Sequence, residues 1–108
     1  MPATIDIVIP VYNEEEALPL NVVTLIDFLK DNVPNPWRII IADSVSTDRT
    51  RLLAEELCER FPGVSYLYLP QRGRGLALRK AWLDSTADIV SYMDVDLATD
   101  LSHFPQLI

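Results

Sequence analysis

The chain has 108 residues, enough for one domain with a single core, and 49% of them are hydrophobic, which predicts a folded protein rather than a disordered one. Its net charge of −7 repels phosphate backbones, so nucleic acid is not expected as a partner. A single cysteine, Cys58, excludes an internal disulfide framework and favours a cytoplasmic location. The first residues lack the pattern of a signal peptide, and no apolar stretch approaches the ~20 residues that cross a bilayer. We therefore expect a soluble chain, and leave open a cytoplasmic membrane face for a longer parent.

Strand-like and helix-like segments alternate along the chain. Short apolar, β-branched runs predict strands, and apolar residues at helical spacing predict helices. In chain order the predicted elements are a strand at 5–9 that Pro10 ends, a helix at 19–30, a strand at 38–43, a helix at about 49–61, a strand at 64–69, a helix at 76–84 and a strand at 89–93. No internal repeat or linker interrupts them.

This alternation predicts an α/β fold: a Rossmann-like, doubly wound, mainly parallel sheet in three α/β/α layers. In such sheets ligands bind at the carboxyl ends of the strands, near the point where the strand order reverses. The loops that follow the first, second and fourth strands begin at Pro10, Asp43 and Asp94, and all three carry carboxylates. These loops are therefore the candidate site.

Asp94-Val95-Asp96 follows the fourth predicted strand. Two carboxylates one residue apart leave an extended strand on the same side. Mg²⁺ or Mn²⁺ prefers such oxygens and commonly shares them with substrate phosphates. The alternative is a solvated loop with helix-capping aspartates, but the position at a strand end favours a metal site at Asp94 and Asp96.

The loop after the first strand, Pro10-Val11-Tyr12-Asn13-Glu14, has two interpretations. Asn13 and the three glutamates from Glu14 onward are compatible with a helix N-terminus, where negative charge is favourable. Alternatively, Tyr12 packs against a base or ribose while a glutamate accepts hydrogen bonds from it. The residues alone leave these interpretations equal.

The loop after the second strand combines a structural and a functional signal. Ser46, Thr47 or Asp48 is a candidate N-cap for the following helix. Asp43 ends a wholly apolar strand, and a carboxylate in that position contacts either a ligand or the loop backbone.

Residues 72–75, Arg-Gly-Arg-Gly, precede the third predicted helix and form a candidate phosphate site, in which Arg74 is the favoured cation. An ordinary tight turn is the alternative, above all for Arg72. The sequence contains no arrangement for nucleophilic catalysis, and no catalytic residue is identified.

The order and spacing of these motifs resemble family 2 glycosyltransferases along essentially the whole chain. The matching segments are 7–15, 40–43 followed by 46–50, 72–79 and 87–97. The closest similarity is to polyprenyl-phosphate (dolichyl-phosphate) hexose synthases. The resemblance implies a GT-A fold, a UDP- or GDP-sugar donor, Mg²⁺ or Mn²⁺, and an inverting displacement on an acceptor such as a lipid phosphate. It places the nucleotide sugar against Pro10, Val11, Tyr12, Glu14, Asp43, Ser44, Arg74, Asp94 and Val95, and the metal against Asp94 and Asp96.

The sequence departs from the family pattern at several positions. Ser44 stands where a second acid is usual, which places that acid's contact with the base in doubt, and Val45 stands where glycine or asparagine is usual. Family catalytic domains also continue past residue 108. We therefore expect residues 1–108 to be a truncated nucleotide-sugar-binding part that self-associates. A non-catalytic nucleotide-binding module and, third, a nucleotidyltransferase are the alternatives.

Overall fold

The structure is a computed structural model, and it describes residues 3–71, 73, 79–83 and 85–93. In chain order the elements are β1 (Ile5–Val11), α1 (Leu18–Asn32), β2 (Trp37–Ser44), α2 (Thr50–Arg60), β3 (Val64–Leu69), a helical segment α3 at 79–83, and β4 (Ile89–Tyr92). Every predicted element is present where the chain is described. The rest of the predicted third helix, 76–78 and 84, lies outside the described residues.

The four strands form one parallel sheet in the order β3-β2-β1-β4. The chain moves outward from β1 to β2 and β3, and β4 then pairs with the opposite side of β1. The strand order therefore reverses between β1 and β4, and this pair marks the switch point of the sheet. The predicted parallel α/β fold is confirmed.

Alternate residues of β1 serve two separate cores. Ile5, Ile7 and Ile9 pack with α1 and α2 on one face of the sheet. Val8 lies on the other face, where it packs in a cluster with Ala81 of α3. Crossovers between parallel strands are right-handed. Since the chain crosses the sheet in one direction from β1 to β3 and in the opposite direction from β3 to β4, α3 lies on the opposite face of the sheet from α1 and α2. The three-layer arrangement follows directly.

Pro10 does not end β1, and that prediction was wrong: the strand continues to Val11. The carbonyls of Thr4 and Val8 accept hydrogen bonds from Ile89 and Met93 in the direction of β4, so even-numbered positions of β1 face β4. The nitrogen of Pro10 faces the same way and has no hydrogen to donate. The pairing of β1 with β2 is therefore intact through Val11, while the described pairs with β4 end at Val8.

The opposite, amino-end edge of the sheet is held by polar and aromatic contacts. Asp6, 4% exposed, accepts hydrogen bonds from the Arg38 guanidinium at 2.8 and 3.3 Å and from the Ser85 hydroxyl at 2.6 Å. Nearby, the Trp37 ring covers Gly63, where an added Cβ would lie 2.8 Å from the ring. These contacts fix the amino ends of the strands and leave the carboxyl ends to carry the site.

Candidate functional site

The register of the sheet brings the first two candidate loops together. Val11 is the partner of Asp43 in the β1–β2 ladder, so the loops that follow these residues leave the sheet side by side. Val11, Asp43 and Ser44 are buried, whereas Pro10, Tyr12 and Glu14 are half-buried. The structure thus brings together six of the predicted nucleotide-binding residues at one edge of the sheet: Pro10, Val11, Tyr12, Glu14, Asp43 and Ser44.

Asp43 is fully buried and both of its carboxylate oxygens have protein partners. One oxygen accepts from the N–H of Ser46 at 3.0 Å and from its hydroxyl, and the other accepts from the Tyr66 phenol at 2.7 Å. Burial, and then this hydrogen bond, raise the pKa of Tyr66, so the phenol remains a donor. Of the two roles expected for Asp43, the structure shows the contact with the loop backbone. A contact with a nucleotide base stays a prediction.

The two loops are joined to each other through the side chain of Asn13. Its amide oxygen accepts from the N–H of Thr47 at 2.7 Å and from the N–H of Asp48 at 3.3 Å, and its amide nitrogen donates to the Thr47 hydroxyl at 3.3 Å. The N–H of Asn13 donates to the Ser46 hydroxyl at 2.9 Å. Asn13 has a φ of 51°, a conformation that asparagine tolerates better than most residues.

Thr50 and Asp48 make a second set of bonds between the same loops. The Thr50 hydroxyl, which is completely buried, accepts from the N–H of Glu14 at 2.8 Å and donates to the Asp48 carboxylate. Asp48 also accepts from the N–H of Thr50 at 2.8 Å and from the N–H of Glu15 at 3.4 Å. Burial opposes the charged form of Asp48, but these hydrogen bonds outweigh it and lower the pKa of Asp48.

The end of β2 contacts the basic loop at residues 72–75, and two residues near this contact have positive φ angles. The Ser44 hydroxyl donates to the carbonyl of Gly73 at 3.4 Å, and this contact links the second and third candidate loops. Gly73 has a φ of 152°, which side-chain-bearing residues rarely adopt. Val45 has a φ of 50°, and a β-branched residue is disfavoured there because its side chain crowds the backbone.

The remaining predicted site residues lie outside the described residues. These are Arg74 of the basic loop and the Asp94-Val95-Asp96 segment that follows β4 in sequence. Within the ranges that the structure describes, no group of three or more histidine, cysteine or acidic side chains is placed to hold a metal ion. Nor does any described helix combine the length and the apolar character that a membrane span requires.

An open apolar cavity of about 770 Å³ adjoins the switch point, on the α3 face of β4. Val8 and Val90 contribute to its lining together with three largely exposed side chains, Trp82, Leu83 and Tyr92. Arg79 is a cation in its wall.

Sequence reasoning missed the residues that join the loops. One of the two interpretations left open put Asn13 at a helix N-terminus, and Ser46, Thr47 and Asp48 were the candidate N-caps. The N-cap of α2 is instead Arg49, whose side chain makes no capping bond, and of the three candidates only Asp48 accepts from the first turn of α2. The two loops are bridged by Asn13, Ser46, Thr47 and Thr50, and also by Asp48. An asparagine that follows a strand, where left-handed backbone is common, was the available signal.

Comparison with known proteins identifies the family of the chain. Residues 6–108 match the family described as Glycosyl transferase family 2. The chain belongs to glycosyltransferase family 2. A dolichyl-phosphate beta-glucosyltransferase of Trichomonas vaginalis is 32% identical over 106 residues, which cover 93% of this chain and 32% of that relative. Six of the curated relatives that match are spanned by the chain over only 17% to 33% of their length.

Solved structures of glycosyltransferases share the fold. A mannosyltransferase from Pyrobaculum calidifontis, in complex with GDP-Man and Mn²⁺, superposes with a TM-score of 0.75 at 24% identity, over 89% of this chain and 28% of the other. A glucosyl-3-phosphoglycerate synthase from Mycobacterium tuberculosis, in complex with Mn²⁺, UDP and glucosyl-3-phosphoglycerate, superposes with a TM-score of 0.65 at 26% identity, over 97% of this chain and 40% of the other. The predicted GT-A, Rossmann-like fold is confirmed.

Proposed function

We propose that residues 1–108 are the nucleotide-sugar-binding part of a metal-dependent, inverting glycosyltransferase that transfers a hexose from a nucleotide diphosphate sugar. The observation that supports this most directly is the joining of the β1–α1 and β2–α2 loops at the carboxyl edge of the sheet, beside the switch point, in a chain of family 2. Ligands of parallel α/β sheets bind at this place.

The nucleoside lies against the two joined loops in this proposal. Tyr12 provides a partly exposed ring for the base or ribose, and Glu14 an acceptor. Ser44 offers a neutral hydroxyl at the end of β2, which makes a weaker contact with a base than a carboxylate does. Pro10 and Val11, at the end of β1, line the pocket beneath the loops. Asp43 holds Ser46 of the second loop in place by a hydrogen bond. We assign to Arg74 the role of a cation for the diphosphate, and we assign Val95 to the contact with the nucleotide.

Asp94 and Asp96 are the proposed metal ligands, because their paired carboxylates supply the hard oxygens that Mg²⁺ and Mn²⁺ prefer. When bound, the cation offsets the negative charge that develops on the diphosphate leaving group. A chain with a net charge of −7 needs such a cation to hold a diphosphate. Mn²⁺ accompanies the nucleotide in the glucosyl-3-phosphoglycerate synthase, which supports the proposal.

We extend the proposal to a polyprenyl phosphate acceptor. The names of the relatives support it, since they include dolichyl-phosphate glucosyltransferases and undecaprenyl-phosphate sugar transferases. With such an acceptor, we propose that the protein acts in the cytoplasm at the cytoplasmic face of a membrane.

Calorimetric titration of UDP and GDP, with and without Mn²⁺, tests the donor site. We expect one of the two nucleotides to bind in a metal-dependent manner to the wild type and to lose that binding in Asp96→Ala. Asp27→Ala is the matched control, since it removes one carboxylate from an exposed position on α1. Failure of both nucleotides to bind, or equal binding to Asp96→Ala, would overturn the proposed donor site.

We also propose that the chain self-associates through the β4 face with a second copy. No described strand pairs with the outer side of β4, and Trp82, Leu83 and Tyr92 are 71%, 74% and 63% exposed around the apolar cavity. Covering such a face removes apolar area and an unpaired strand edge from water. Light scattering should show a dimer that Trp82→Ser weakens, and a monomer at working concentration would contradict the proposal.

A further inference from the structure

We propose that Asn13 is a positioning residue of the nucleotide site, which fixes the separation of the β1–α1 and β2–α2 loops without contacting the reacting atoms. This inference rests on the proposed donor site. The residues assigned to the nucleoside lie on both loops: Tyr12 and Glu14 on the first, Ser44 at the start of the second. A pocket made of two loops keeps its shape only if something holds the loops together.

The hydrogen bonds of Asn13 perform that function. Its amide oxygen accepts from two successive N–H groups, those of Thr47 and Asp48, and its own N–H donates to Ser46. Ser46 in turn donates to the buried Asp43 at the end of β2. A continuous set of bonds thus connects the residue that follows Tyr12 to the strand end that carries Ser44.

The backbone conformation of Asn13 also helps to join the two loops. Its φ of 51° turns the chain sharply after β1 and aims its side chain at the β2–α2 loop, across 34 residues of sequence. Asparagine suits both requirements, since it tolerates left-handed backbone and its side chain carries an acceptor and a donor. Glycine meets only the first requirement, and aspartate meets the first and retains the acceptor.

Three variants separate these contributions. Asn13→Gly keeps the backbone and removes the bridging side chain. Asn13→Asp keeps the acceptor for the two N–H groups, and the Thr47 hydroxyl, which donates as well as accepts, can turn to donate to it. Asn32→Ala is the matched control. It removes an asparagine whose side chain bonds to Phe28 within α1, and this asparagine is the last residue of the helix, at the end away from the β1–α1 loop.

The experiment is titration of the nucleotide that the wild type binds, with Mn²⁺, at a temperature where circular dichroism shows every variant folded. We expect Asn13→Gly to raise the Kd about tenfold, Asn13→Asp to stay within about threefold of the wild type, and Asn32→Ala to leave it unchanged. If Asn13→Gly does not fold, the Thr50 hydroxyl, which accepts from the N–H of Glu14 and so also joins the two loops, is tested in its place. Thr50→Val removes this hydroxyl, and Thr50→Ser keeps it.

The outcomes distinguish the two proposals. No binding to the wild type would overturn the donor site, and the role of Asn13 with it. Wild-type binding that Asn13→Gly retains in full would overturn the role of Asn13 alone. Loss in Asn13→Asp as large as in Asn13→Gly would likewise show that the acceptor does not position the site, and an equal loss in Asn32→Ala would show a general effect of stability.

Discussion

Replacing Val45 with asparagine should stabilise the protein, although it puts a polar residue in place of an apolar one. Val45 has a φ of 50°, and it is half-buried without belonging to either hydrophobic core. The substitution therefore removes little packing. It removes the conflict between a β-branched side chain and left-handed backbone, which asparagine tolerates.

The size of the effect follows from the backbone. Left-handed conformation costs an ordinary L-residue roughly 1–2 kcal/mol, and asparagine recovers part of this through local hydrogen bonding. We expect Val45→Asn to raise the free energy of unfolding by about 1 kcal/mol, or Tm by roughly 4 °C for a domain of this size. Val45→Gly relieves the same conflict but gives up about 0.5–1 kcal/mol through the greater freedom of the unfolded chain, so its gain should be smaller.

Urea unfolding followed by circular dichroism measures these differences. Val23→Asn, in the helical backbone of α1, is the control: it makes the same chemical change where φ is already favourable, and it should destabilise the protein because Val23 packs against the core. If Val45→Asn lowers the free energy of unfolding as Val23→Asn does, the φ of Val45 is not a source of strain and the reasoning fails.

Three further predictions concern stability. Folding lowers the pKa of Asp48, so the ionised carboxylate should stabilise the protein relative to Asp48→Asn. This stabilisation should be complete above about pH 5, and it should be lost as the pH falls below the ordinary aspartate pKa of about 3.9 towards the lower pKa of the folded state. Urea unfolding of both proteins at several pH values measures the difference. Gly63→Ala should cost roughly 1–2 kcal/mol and alter the fluorescence of Trp37, because the new Cβ forces the ring to move. Asp6→Ala should lower the free energy of unfolding by about 2 kcal/mol in thermal unfolding, because it leaves Arg38 without its carboxylate partner. Water reaches the half-exposed Arg38 guanidinium and limits this loss.

Each of these predictions has a contradicting result. A difference between Asp48→Asn and the wild type that does not change with pH would show that the carboxylate is not stabilised by folding. Unchanged fluorescence and stability in Gly63→Ala would mean that the Trp37 ring does not close over the glycine. A loss from Asp6→Ala no larger than that from Asp27→Ala, an exposed carboxylate on α1, would mean that the Asp6 cluster is not structural.

The sequence predicted the fold well because both faces of the sheet are apolar. The β-branched runs of β1 and β2 identify buried strands without any knowledge of their partners. The end of β1 was predicted wrongly because the effect of a proline depends on which neighbouring strand its nitrogen faces. Proline removes a hydrogen bond to the strand on that side and leaves the pairing on the other side intact. The side that the Pro10 nitrogen faces depends on pairing with a strand about 80 residues away.

The site was predictable to the level of its loops and no further. Strand ends that carry acids identified the correct edge, and Asp43 was expected to contact either a ligand or the backbone. That Asp43 bonds to Tyr66, or that Asn13 reaches Thr47, depends on side-chain distances across 23 and 34 residues of sequence. Local pattern can indicate the left-handed backbone of Asn13, but it does not identify the distant side chains that these residues contact.

The strand order also bears on how the chain matures during synthesis. β1 is made before the other three described strands and lies inside the sheet, but its partner on one side, β4, begins only at Ile89. While a ribosome is still adding the residues between β3 and β4, the apolar β1 keeps one open edge that other nascent chains can pair with. The order in which the strands are made, rather than their final packing, sets the interval in which this protein is most exposed to aggregation.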